Sequence, residues 1–250
     1  MHGAVLTPGF ALPSDAGEEQ RAAAFLADAE LFHGAADDDV AAVYDSVADR
    51  YDRFRGLWLR LAGAGAEEAM LTDLCAVLRS GAKVLDAGCG TGVLARKMLE
   101  LKPEIELTLI DLSAAMLGHA SDLPGEHVQG SVLALPFADG AFDVVVSAWV
   151  IETVPDPMRA VSEYLRVIKP DGHVFYTFCS LPRGWFSRAG SAWLRTAVGR
   201  GFAGEFLDGE STPWHDCDRS RLLRFSHGLT TEVALRKCCN VGEPVLPSAF

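Results

Sequence analysis

From residue 82 to residue 180 short apolar runs alternate with amphipathic stretches of helix length, and few folds accept that rhythm. "KVLDAG", "ELTLIDLS", "HVQGSV", "FDVVVSAWV" and "HVFYTFCS" read as strands. "GVLARKMLELK", "AAMLGHASDL" and "DPMRAVSEYLRVI" read as the helices between them, and "KPDG" predicts the turn into the fifth strand. Such alternation implies right-handed crossovers and an α/β fold whose parallel sheet is covered on both faces. Upstream, "DDDVAAVYDSVADRYDRF" sets Val40, Val43, Tyr44, Val47 and Tyr51 at helical spacing, behind acids that suit a helix N-terminus. Another helix is predicted over about 66–79, with Met70, Leu71, Leu74, Val77 and Leu78 on one side. Residues 1–39 are rich in Ala, Gly and acid and read as a tail, with one helix near "EEQRAAAFLADAELF". The rest, 40–250, reads as a single domain whose last strands are expected from about 228–250.

Composition narrows the function. A net charge of −12 argues against a general nucleic-acid binder, because phosphate binding wants a basic surface. No run approaches the 18 or so apolar residues of a membrane span, so no stable membrane insertion is expected. The N-terminus lacks the basic and apolar regions of a signal peptide, which predicts a cytoplasmic protein. The six cysteines show no disulfide-framework spacing.

Between the first strand and the first helix lies "VLDAGCGTGVL". Gly88, Gly90 and Gly92 make a GxGxG pattern, and the place where a dinucleotide fold wants its third glycine is held by Val93. Asp86 precedes the loop, and Asp111 ends the second strand, where a carboxylate can accept both hydroxyls of an adenosine ribose. All of these residues fall at strand ends, where ligands of such sheets bind.

Over roughly residues 40–180 the chain resembles the class I S-adenosylmethionine-dependent methyltransferases, in particular the small-molecule type that includes the ubiquinone/menaquinone C-methyltransferases. "VLDAGCGTG" is similar to the family's first motif and "LIDLSAAML" to its second. "GSVLALPFADGAFDVVVSAWVIETVPDP" resembles the third and fourth, "EYLRVIKPDGHVFYT" the entry to the fifth strand, and "VYDSVADRYD" the helix that closes over the cofactor. The resemblance implies a doubly wound, Rossmann-like sheet of seven mostly parallel strands, with helices on both faces and a helical cap at about 181–215. It implies S-adenosylmethionine as cofactor and S-adenosylhomocysteine as product. The implied cofactor residues are Tyr44 and Tyr51, then Asp86, Gly88, Cys89, Gly90 and Gly92. Asp111, Leu112 and Met116 follow, and then Ser131, Val132, Leu133 and Ser147. Two positions depart from the family pattern. Ser131 stands where an acid usually meets the adenine amino group, and Thr153 stands where a histidine is frequent.

Glu152, His215 and Tyr51 are candidates for a catalytic base, with Tyr44 beside them. Tyr44 and Tyr51 share a helix face, which suits either core packing or a lid. Trp149 follows the fourth strand and, with Trp185 and Arg188 of the Arg/Trp stretch at 183–200, is a candidate for substrate binding; a solvated helix face would look the same. His215, Cys179, Cys217, Cys238 and Cys239 raise a thiophilic metal or metalloid as an alternative. Their spacing forms no CxxC pair, adjacent cysteines on a strand point to opposite faces, and free cysteine is an ordinary core residue. No metal is therefore predicted. The expected activity is methyl transfer by in-line displacement to a small-molecule O, S, N or C acceptor. The alternatives are a cofactor-binding partner or sensor without turnover and, less favoured by the acidic charge, a protein or RNA methylase.

Overall fold

The computed structural model describes residues 37–182, 192, 206–207 and 219–237. Seven strands are β1 (Lys83–Ala87), β2 (Glu106–Asp111), β3 (Glu126–Gln129), β4 (Phe142–Ala148), β5 (Ile168–Cys179), β6 (Arg219–Phe225) and β7 (Thr230–Arg236). They form one sheet in the order β3-β2-β1-β4-β5-β7-β6. β1 through β5 pair in parallel, and β7 runs antiparallel between β5 and β6. The chain steps outward from β1 to β3, then returns to lay β4 on the other side of β1. The β1–β4 boundary is therefore the switch in strand order, and the crevice beyond its carboxyl ends is where such a sheet binds ligand.

Because side chains alternate along a strand, each central strand feeds two cores. Leu85, Ala87 and Val145 pack with Val161 and Tyr164 of α5 (Pro157–Val167). Val84, Val144 and Val146 pack with Met70 and Leu74 of α2 (Ala64–Val77) and Met98 of α3 (Val93–Leu101). The fold is the expected one, a seven-stranded, mostly parallel sheet between helices.

Local structure departs from the sequence reading in three places. The two N-terminal helices are one path: α1 (Asp37–Trp58) continues through a π-helical turn, Leu59–Gly63, into α2. Gly63 permits this, since a Cβ there would stand 2.9 Å from the Trp58 indole nitrogen and 3.0 Å from Trp149. "KPDG" is not a free turn but an irregularity inside β5, where Asp171 has φ 64° and the pairing with β4 shifts register. The last two strands lie at 219–225 and 230–236, not wholly within 228–250. "RSRLLRF" does not alternate cleanly because β6 is an edge strand, and charged side chains suit an edge. Residues 37–39, read as the end of the tail, open α1 instead; residues 1–36 and nearly all of the cap fall outside the described residues, as do Trp185, Arg188, His215, Cys217, Cys238 and Cys239.

Candidate active site

The cleft opens where the switch in strand order predicts. The loop after β1 forms its floor, the end of β2 one wall, and the segments after β3 and β4 the others. α1 lies across the top and leaves a cavity of about 70 Å³. Of the predicted residues, Tyr44, Tyr51, Gly88, Gly90, Asp111, Leu112, Met116, Ser131, Val132 and Trp149 line it. Val40, Gly130, Ala148, Val150, Thr153 and Val154 line it too and were not predicted. Asp86, Cys89, Gly92, Leu133 and Ser147 do not reach the wall.

Asp111 is held from both sides. Its Oδ2 accepts the Gly90 backbone N–H at 2.8 Å and its Oδ1 accepts that of Ser113 at 2.9 Å. Each oxygen keeps acceptor capacity for a ligand hydroxyl. Burial pushes its carboxyl above the ordinary range, and the N–H groups of Ser113, Gly90 and Leu112 oppose that rise. Gly90 has φ 54°, and a Cβ there would face the cleft 3.7 Å from Tyr51. Gly92 serves packing instead: in a left-handed conformation it starts α3, and a Cβ would strike Leu123 at 2.6 Å.

Asp86 sits beneath the loop, 1% exposed, and its Oδ2 has no hydrogen-bond partner among the described residues. Burial first, and the negative charge of Asp111 second, push its carboxyl up to about 7, against the pull of Arg55. Ser147 is fully buried behind the cleft, where it donates to the Ala87 carbonyl and meets the Tyr164 hydroxyl at 3.0 Å. The Ser131 hydroxyl accepts the Leu133 N–H at 3.2 Å, so it shapes its own turn.

A polar stripe holds α1 over the cleft. Asp45 accepts from the Ser113 hydroxyl and from Ala115 N at the start of α4 (Ala114–His119). Asp49 meets His119 at 3.2 Å, Asp52 accepts from Thr91 at 2.5 Å, and Arg55 donates to Glu67 at 2.5 Å. These positions recur every three or four residues, one face of a helix. Glu67 also accepts from Lys97 at 2.7 Å and from the Trp149 indole at 3.4 Å, so one buried carboxylate ties α1, α2, α3 and the end of β4 together. Burial raises the Glu67 carboxyl, but Arg55 and Lys97 outweigh it and hold it below the ordinary value. Trp149 has φ 62°, a conformation rare for a bulky residue, and its ring meets Trp58 edge to face at 5.7 Å. Among the described residues no three His, Cys, Asp or Glu side chains could hold a metal ion, and no helix is long and apolar enough to cross a membrane.

Fold and cleft together define a doubly wound α/β protein with a cleft at its switch in strand order. Comparison with known proteins gives the family. The methyltransferase domain family matches residues 85–176. A demethylmenaquinone methyltransferase of Thermobifida fusca is 33% identical over 171 residues, covering 62% of this chain and 71% of that protein. A malonyl-[acyl-carrier protein] O-methyltransferase of Pectobacterium atrosepticum is 33% identical over 158 residues, covering 62% of this chain and 58% of its own. Among solved structures, an S-adenosylmethionine-dependent methyltransferase of Thermotoga maritima superposes with a TM-score of 0.58 at 18% identity, covering 78% of this chain and 99% of that one, and supports the fold. This chain belongs to the class I S-adenosylmethionine-dependent methyltransferases. It spans 58 to 71% of the lengths of these two curated relatives, whose names carry different acceptors.

Proposed function

We propose that this chain binds S-adenosylmethionine in the cleft and moves its methyl group to a small-molecule acceptor. The observation that carries this reading is Asp111, a carboxylate fixed at the end of β2 by two backbone N–H groups with acceptor capacity left over. In this reading Asp111 takes the ribose hydroxyls, and Leu112, Met116, Ser131 and Val132 border the adenine. Gly88 and Gly90 let the backbone approach the methionine part. The unpaired Oδ2 of Asp86, beneath the wall of the cleft, suits a cationic ligand through water, because a nearby ammonium or sulfonium would offset the burial of its charge.

The cofactor supplies a methyl group on an excellent leaving group, which leaves the protein to supply alignment and dryness. Tyr44 and Tyr51 of α1 exclude water from above. The cavity of about 70 Å³ is well under the ~300 Å³ of a small-molecule site, so α1 moves outward to admit ligand. We take residues 40–250 as one domain, with 181–215 as its cap over the acceptor. The free thiols of Cys75, Cys89 and Cys179 suit a cytoplasmic setting.

The test is incubation with methyl-labelled S-adenosylmethionine and a panel of thiols, phenols and quinol precursors. Label in an organic product, with matching S-adenosylhomocysteine, is the expected result. Protein that binds the cofactor but labels nothing across the panel would favour the partner or sensor reading instead.

A further inference from the structure

A second cavity adjoins the cofactor cleft. It holds about 10 Å³, room for about one water. Tyr51, Arg55 and Trp58 of α1 form one side, and Trp149, Glu152 and Cys179 the other. Tyr51, Trp149 and Thr153 line both cavities, so the two share a wall. Glu152 is 5% exposed. Its Oε1 accepts the Cys179 backbone N–H at 3.1 Å, and its Oε2 has no hydrogen-bond partner among the described residues. A buried carboxyl oxygen left unmet is costly, so such an atom beside a ligand cleft points to a ligand group.

The walls restrict what that group belongs to. As it stands the cavity takes only a water; once α1, which carries Tyr51 and Trp58, moves outward to admit ligand, the Tyr51, Trp58 and Trp149 rings suit a flat, apolar body. Arg55 is already held by Glu67, yet its charge in the same wall disfavours an ammonium acceptor. An anionic acceptor would face the charge of Glu152 itself. A flat, uncharged ring that carries a weakly acidic hydroxyl satisfies all three conditions.

We propose that Glu152 is the catalytic base that takes the proton of such an acceptor hydroxyl during methyl transfer, an assignment that rests on the cofactor reading above. The acceptor oxygen forms a bond to the methyl carbon, and the methyl–sulfur bond breaks with its electron pair left on sulfur. The hydroxyl proton passes to Glu152, whose carboxylate becomes a neutral acid and returns the proton to solvent after product leaves. Burial pushes the Glu152 carboxyl up to about 7, against the backbone N–H groups of Glu152 and Cys179 and the Cys179 thiol, which favour its charged form. That value suits a base working near neutral pH. The groups facing it are Tyr44, Tyr51 and Arg55 from α1, Cys179 from β5 and Tyr164 from α5.

Glu152→Gln tests this with the fold preserved, because the amide oxygen can still accept the Cys179 N–H. Calorimetry should find S-adenosylhomocysteine affinity equal within twofold in wild type and variant. An infrared carboxylic-acid band that titrates near neutral pH in wild type should be missing from the variant. Methylation of phenol and catechol should fall at least ~100-fold in the variant, and that of 4-nitrophenol, which ionises unaided, less than tenfold. Equal losses on all three, no missing band, or wild type that methylates none of them would overturn the assignment of Glu152 alone. Wild type that binds no S-adenosylhomocysteine would overturn the cofactor reading and this assignment with it.

Discussion

Asp86→Asn should change how stability depends on pH. Asp86 is 1% exposed, one of its oxygens is unpartnered among the described residues, and its carboxyl rises from the ordinary 3.8 to about 7 on folding. Between those values the folded chain holds a proton that the unfolded chain has released, so stability falls as pH rises. The penalty is absent below about pH 4 and complete above about pH 7. At about 1.4 kcal/mol per pH unit, this one side chain costs on the order of 4 kcal/mol at pH 8. The asparagine carries no such charge, and its amide loses polar solvation equally at every pH. Urea unfolding of both proteins between pH 5 and pH 8 should therefore show the variant gaining on wild type as pH rises, while its S-adenosylmethionine affinity drops. Parallel stability curves would refute the reasoning and mean that Asp86 is ionised or solvated throughout.

Three further outcomes follow from the site. Gly90→Val should weaken S-adenosylmethionine binding more than tenfold by calorimetry, since its side chain would enter the cleft from a left-handed backbone position. Asp52→Ala should remove the Thr91 contact and speed amide exchange along α1, while stability in urea unfolding falls by only the ~1 kcal/mol of one hydrogen bond. Glu67→Ala should destabilise the protein by about 3–5 kcal/mol in urea unfolding, because it strands the buried Arg55 and frees Lys97 and the Trp149 indole.

What could be read beforehand follows from how local each signal is. β1, β2, β4 and β5 are apolar runs bounded by Gly, Pro and Asp, β3 (EHVQ) is polar and legible only from its place in the alternation, and the loop glycines recur at every second residue in a pattern few turns need, so sheet and cleft are both legible. β6 is not, because an edge strand with arginines at 219, 221 and 224 lacks the period that marks a strand. Ser147 shows the limit of motif transfer: it lies at the right strand end, but the alternation of β4 turns it inward onto Tyr164. No motif singles out Glu67, although the sequence holds one signal. It stands among Ala66, Met70 and Leu74 on the buried side of α2, and a carboxylate there needs partners. Those partners, Arg55 and Lys97, are 12 and 30 residues away, and only the tertiary fold brings them in. The backbone conformation of Trp149 left no trace in the sequence, because long-range packing holds it.

The most direct measurement is calorimetric titration with S-adenosylmethionine and S-adenosylhomocysteine, run on wild type and on Asp111→Asn. The substitution keeps the shape of the end of β2 and removes the charge that two N–H groups hold toward the cleft. Micromolar binding of both ligands, weakened at least tenfold in the variant, is the expected result. Folded wild type that binds neither ligand, or a variant that binds both as tightly as wild type, would contradict the place given to Asp111 at the centre of this site.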